Sequence, residues 1–257
     1  MFIDSHCHLD FPCFSSDLES ILKAIVQAKI TKLIIPATQA SSWQSIEKLS
    51  KDNLPIYYAL GIHPHFLSSF QTQDLPLLKE KLLNRNHKCI ALGEIGLDKF
   101  AQASQSQQEL VFIEQLKIAE ELKLPIILHC VKKQDRILTL LKEHNFKQGG
   151  VYHAFSGSLE VAETFIKLGF KLGVGGVITY PNSTKTRQTV TKLPIESMVL
   201  ETDAPDMSIY QQQTAHNDPL NIQTIFDSLL SLRHESKSQL ATQLYQNTFN
   251  IFPLCDD

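Results

Sequence analysis

No stretch of this chain approaches the ~18 unbroken apolar residues that a membrane-spanning helix needs. The N-terminus, Met1-Phe2-Ile3-Asp4-Ser5-His6, lacks a basic region followed by an apolar run, so no secretory signal is expected. Cysteine is sparse: Cys7, Cys13, Cys89, Cys130 and Cys255. An odd count with no CxxC pair excludes a zinc ribbon and argues against a disulfide framework. It favours a reducing compartment, and the cytoplasm is the expected location. There is no excess of basic charge, since the formal net charge is −3. That disfavours gripping long duplex nucleic acid by a broad basic surface. An enzyme that holds one or two phosphates through metal ions stays open. Internal repeats, low-complexity tracts and Pro/Gly/Ser-rich linkers are also absent, so residues 1–257 read as one domain. The single tryptophan, Trp43, reads as helix packing and not as a base-stacking platform.

What is present is a rhythm of short, β-rich apolar runs. They are Phe2–Ser5, Lys32–Ala37, Ile56–Leu60, Cys89–Leu92, Pro125–Leu128, Val151–Ala154, Phe170–Val174 and Met198–Leu200. Near-continuous apolar runs suit parallel strands buried on both faces. The segments between them carry helical features. In 105–123, Phe112, Leu116, Ala119 and Leu122 fall at helical spacing. Pro125 ends that helix and opens the next strand. Asp218-Pro219 reads as an N-cap followed by proline at the first helical position. A last helix is expected over much of 235–249. Eight strands alternating with helices over ~250 residues predict a (β/α)8 TIM barrel. Periodicity alone does not separate that barrel from a doubly wound open sheet.

Several of these runs end in a metal-ligand type of residue. The first ends in His6-Cys7-His8, and the fourth leads into Glu94. The fifth ends at His129, the sixth carries His153, and the eighth ends in Glu201-Thr202-Asp203. In a barrel the C-terminal strand ends converge on one face, where enzymes of this fold place their active sites. His6 and His8, two apart on a strand, point to the same side. Four imidazoles and two carboxylates are too many for one tetrahedral site and suit two ions sharing a bridging carboxylate. Imidazole with carboxylate suits zinc, manganese, iron or nickel better than calcium. Each donor alone has an ordinary explanation: a core histidine, a solvated loop carboxylate, a turn-initiating aspartate before Ala204-Pro205. Buried without partners, all six would be costly, so jointly they predict a metal centre.

The motifs at these positions resemble a known family. They are His6-x-His8, GEIGLD (93–98), PIILHC (125–130), HAFSGS (153–158), GVGGVITYP (173–181) and LETDAPDM (200–207). Together they resemble the TatD family of metal-dependent deoxyribonucleases within the amidohydrolase-like barrels, over residues 2 to about 252. GLDKF (96–100) and the last two motifs are most similar to its YjjV-type bacterial branch. The resemblance implies two divalent ions drawn from zinc, magnesium, manganese or nickel. His6, His8 and Asp203 would hold the first, Glu94 would bridge, and His129 and His153 would hold the second. It implies phosphodiester cleavage in DNA, 3′→5′ on single strands or ends. The alternative it carries is removal of D-amino acids from aminoacyl-tRNA at the same ions. A barrel that binds metal or nucleic acid without turnover is disfavoured by an intact Asp203 in the role of proton acceptor, with Glu94 as the second catalytic carboxylate. His63 and His65, flanking Pro64, read either as substrate contacts on the rim or as turn residues. Ser156 and Ser158 read either as a phosphate cradle or as a helix N-cap. Lys132, Lys185 and Arg187 are further phosphate candidates, although a solvated face explains the last two. Where the family often has Arg soon after the His-Cys of the fifth strand, Val131 and Lys132 stand here. The common Asn-Glu-Pro is Asn217-Asp218-Pro219. A monomer without membrane association is expected.

Overall fold

The computed structural model describes residues 1–255. In chain order its elements are β1 (Phe2–Asp4), α1 (Leu18–Gln27), β2 (Ile30–Pro36), α2 (Trp43–Asp52), β3 (Ile56–Leu60) and α3 (Asp74–Leu83). Then come β4 (Cys89–Asp98), α4 (Gln105–Leu122), β5 (Ile126–Val131), α5 (Gln134–Glu143), β6 (Gly150–Tyr152) and α6 (Leu159–Lys167). The last are β7 (Phe170–Val174), α7 (Thr184–Lys192), β8 (Met198–Leu200), α8 (Ile222–Leu232) and α9 (Lys237–Ile251). The strand order in the sheet follows the chain from β1 to β8. This is the strand–helix alternation of a (β/α)8 TIM barrel.

The described chain divides into two compact units, residues 1–35 with 153–250, and residues 36–152 with 251–255. In the first unit, β1 pairs in parallel with β2, and β7 with β8. Ser5 N–H donates to Leu200 O at 2.9 Å, which ties the end of β1 to β8. In the second unit, β3, β4, β5 and β6 pair successively, all in parallel. The strands are buried almost throughout, as their apolar runs predict: β3 and β4 present no exposed residue. Among the described residues no helix is long and apolar enough to cross a membrane.

β3, β7 and β8 have the expected bounds, and α4 ends one residue early. Lys123 there adopts a left-handed conformation (φ 53°) before Leu124 and Pro125. β4 differs most. It runs six residues past Leu92 and takes in the whole of GEIGLD. It stays paired with β5 as far as Asp98↔Val131, with a register shift between Gly93 and Ile95. Glycine makes that long pairing possible: a Cβ at Gly96, where φ is +157°, would overlap the carbonyl oxygen of His129. The irregularity falls on Glu94, where an extra residue in a ladder re-aims a side chain. β5 likewise extends to Val131 and contains His129, whereas β6 stops at Tyr152 and leaves His153 just beyond it. Trp43 is fully buried, and its indole N–H donates to Gly61 O at 3.0 Å, in keeping with helix packing.

Candidate metal centre

The first unit builds one donor set from the ends of β1 and β8. Asp4 lies at the base of this set, fully buried. Its carboxylate accepts from Thr202 N–H (3.0 Å), Thr202 Oγ1–H (2.6 Å) and His6 N–H (3.2 Å). Burial pushes its pKa up to about 7, and the nearby Asp203 charge adds to this, although all three hydrogen bonds pull the other way. Backbone bonds then continue past the strand ends. Asp203 N–H donates to His6 O at 2.8 Å, and His8 N–H to Ala204 O at 2.7 Å. Asp203 is left-handed (φ 57°), a conformation that aspartate tolerates better than most residues. Asn217 Nδ2 holds the Thr202 carbonyl at 2.8 Å and so secures the turn from the far side.

The result is three donor atoms facing one another. His6 Nε2 and His8 Nε2 are 3.2 Å apart, and Asp203 Oδ1 lies 3.3 Å from the first and 3.7 Å from the second. β1 ends at Asp4, so His6, Cys7 and His8 lie just past the strand and not on it, and Cys7 between the histidines is fully buried. The His153 ring stacks on His6 with centroids 4.0 Å apart. Behind it Glu201, also fully buried, accepts from Ala154 N–H and lies 4.0 Å from His153 Nδ1. Gly173 makes room for that carboxylate, because a Cβ there would overlap it.

The second unit builds another set around β4 and β5. His129 lies between two carboxylates: Nδ1 is 2.9 Å from Glu94 Oε1, and Nε2 is 2.8 Å from Asp98 Oδ2. Burial alone would lower the His129 pKa. The hydrogen bonds and charges of Asp98 and Glu94 outweigh it and raise the pKa to about 9. For Asp98, burial would raise the pKa, but hydrogen bonds from His129, Phe100 N–H and His65 hold it well below the usual carboxylate range. His63 Nδ1 accepts from His65 N–H at 3.1 Å. In a neutral ring the proton is therefore on Nε2, which faces Glu94 Oε1 at 3.3 Å. His65 Nε2 reaches Asp98 Oδ2 at 2.9 Å, from a half-exposed position.

These sets match the chemistry of divalent cations. Two imidazole nitrogens 3.2 Å apart cannot both point protons at each other, and a cation accepting both lone pairs and the Asp203 oxygen removes that conflict. In the second set an ion would take the place of the Nδ1 proton of His129, between it and Glu94. Nitrogen with carboxylate oxygen suits zinc, manganese, iron or nickel.

Of the predicted site residues, His6, His8, His153 and Asp203 gather in the first unit. Glu94, His129, His63 and His65 gather in the second. Ser158 lies at the N-cap of α6, its oxygen 3.5 Å from Val161 N–H, and Ser156 Oγ pairs with Thr186 Oγ1 at 3.0 Å. Arg187 turns its guanidinium onto the Ile178 carbonyl. Three carboxylates were not singled out from the sequence: Asp4, Asp98 and Glu201. Their signal was nonetheless there, because a carboxylate within or beside an apolar strand needs a buried partner.

Residues 3–253 match the family model for TatD related DNase. The chain is 44% identical to the uncharacterized metal-dependent hydrolase YjjV of Escherichia coli (strain K12) over 252 residues, covering 98% of this chain and 97% of that protein. It is 29% identical to the 3′-5′ ssDNA/RNA exonuclease TatD of Pantoea vagans (strain C9-1), covering 94% of this chain and 95% of that one. The crystal structure of E. coli YjjV superposes with a TM-score of 0.95, covering 99% of this chain and 98% of that chain at 43% identity. With its TIM-barrel fold and its histidine–carboxylate clusters, the chain belongs to the TatD-related DNase family of metal-dependent hydrolases.

Proposed function

We propose that the protein is a deoxyribonuclease that shortens single-stranded DNA, or DNA ends, from the 3′ side in the cytoplasm. A single barrel domain would carry both donor sets. His6, His8 and Asp203 would hold one divalent ion, His129 and His153 the other, and Glu94 would bridge. The observation that carries this reading is the convergence of His6 Nε2, His8 Nε2 and Asp203 Oδ1, with 3.2–3.7 Å separating the nitrogens from each other and from the oxygen. The exonuclease name of the Pantoea relative supports the substrate class. When bound, paired divalent ions make an activated water available near neutral pH and neutralise charge on phosphoryl oxygens.

The chain's own residues do the remaining work. Asp203 has a second carboxylate oxygen beyond the one aimed at His6 and His8, and it would accept the proton of the attacking water. The same carboxyl would return that proton to the leaving 3′ oxygen. His63, with Nε2–H at the Glu94 edge, would donate to a phosphoryl oxygen, and His65 would flank the strand entering the site. Ser156 and Ser158, tied to Thr186 and to the start of α6, would serve through the backbone there and not through their hydroxyls.

The test is parallel turnover of 3′-labelled single-stranded DNA and D-aminoacyl-tRNA, with and without chelator. We expect chelator-sensitive shortening of DNA and no ester cleavage. DNA turnover equal to that of a His129→Ala, His153→Ala double variant would reject the nuclease. Ester cleavage alone would make the protein a deacylase at the same centre.

A further inference from the structure

Asp98 stands out in the second unit because no feature of the proposed reaction requires it. It is 4% exposed, and its N–H and both carboxylate oxygens are engaged. Its N–H donates to Gln108 Oε1 at 2.8 Å, and Gln108 is itself held by Nε2–H donation to Ala103 O at 2.9 Å. Its Oδ1 accepts from Phe100 N–H at 2.6 Å. With its N–H and Oδ1 held in this way, Oδ2 faces the other partners. That one oxygen receives Nε2 of His129 at 2.8 Å and Nε2 of His65 at 2.9 Å. The carboxylate is thus fixed from its backbone and one oxygen, and it presents the other to two imidazoles.

A carboxylate without a proton only accepts hydrogen bonds, so each ring facing Oδ2 must carry its proton on Nε2. For His129 this decides which nitrogen is left to donate a lone pair. It is Nδ1, the atom 2.9 Å from Glu94 Oε1. We propose that Asp98 is the positioning residue of the second metal site: it locks His129 in the Nε2–H tautomer and aims Nδ1 at the cation beside Glu94. A carboxylate that holds the far nitrogen of a ligating imidazole fixes ring orientation, raises basicity and contributes ~10–100-fold to metal affinity. His65 is an auxiliary partner of the same oxygen. Its side chain is 43% exposed, so solvent can replace it. The inference rests on the reading of His129 as a metal ligand, and the experiment below separates the two.

The protein is stripped with chelator and titrated with zinc. Bound equivalents are followed by mass spectrometry, and His129 by ¹⁵N NMR. Wild type is expected to hold two ions, with His129 showing a protonated Nε2 and a metal-shifted Nδ1. In Asp98→Ala, the affinity of one ion falls ~10–100-fold while the other ion is unchanged. Asp98→Asn falls between them, because an amide offers one accepting oxygen where Phe100 N–H and the imidazoles need two. His65→Ala stays close to wild type in affinity. If Asp98→Ala binds both ions like wild type while His129→Ala loses one, Asp98 has no positioning role and the metal site stands. If His129→Ala also keeps both ions, the ligand reading fails and the inference fails with it. Should Asp98→Ala not fold, the wild-type spectrum alone decides: a proton on Nδ1 with metal on Nε2 overturns the proposal.

Discussion

The two donor sets use the same residue types but reach them by different routes. In the first unit, main-chain bonds place the ligands: Asp203 N–H on His6 O and His8 N–H on Ala204 O lock the ends of β8 and β1 together. The donor atoms then converge on a single point. In the second unit, side chains place the ligands. His129 lies between Glu94 and Asp98, and in metal-free protein that pair holds a proton on each of its nitrogens, with a pKa raised to about 9. One set is organised and presents nitrogens to one another. The other is closed by its own ion pairs and must release a proton to take a cation. A strand-end metal site can therefore be prepared by geometry or by charge.

If both sets serve one reaction, damage to either should remove the same activity. Asp203→Asn and His129→Ala should each lower turnover of single-stranded DNA by ~10²–10⁴-fold, with the fold retained by circular dichroism. The double variant should be little worse than the worse single one, since groups acting as a unit are not additive. Multiplying effects would separate the sets. Acidity should then weaken metal binding at the second set. Below about pH 9, affinity at the His129 set should rise up to ~10-fold per pH unit, with about one proton released per ion in calorimetry. A flat pH profile there would contradict the proton release.

A smaller effect concerns metal-free stability. The folded pKa of His129 is raised above its ordinary value of 6.5 to about 9, so the native state binds the extra proton between these values. Its stabilising contribution is complete below about pH 6.5 and is lost as pH rises through 9. In chelator, the gap in melting temperature between wild type and His129→Gln should therefore shrink from pH 6 to pH 10. A gap that widens would reverse the assignment. Smallest of all, Ser158→Ala should cost about 0.5–1 kcal/mol in chemical denaturation, as the loss of a helix cap. A rise in KM for DNA with no change in stability would instead assign that serine to substrate.

Much of this was legible in the residues. β3, β7 and β8 end where their apolar runs end, and the six expected ligands lie in strands or just past them, where a polar residue without a partner would be costly. The extension of β4 was not legible. The expected run stops at Leu92, whereas Gly93 and Gly96 admit the backbone of β5 at close range and the strand continues to Asp98. The shorter run left Asp98 outside the expected strand, and only a carboxylate inside a buried strand demands a partner. Glu201 was overlooked beside Asp203 because spacing alone does not reveal which of two neighbouring carboxylates turns to Ala154 and which to the imidazoles. Histidine tautomers, on which the roles of His63 and His129 depend, follow from single hydrogen bonds and leave no trace in composition or periodicity.

The most direct test is anomalous X-ray scattering from crystals soaked in manganese. Two peaks are predicted, one among His6 Nε2, His8 Nε2 and Asp203 Oδ1, and one between Glu94 Oε1 and His129 Nδ1. A single peak, or density on the Nε2 side of His129, would contradict the account.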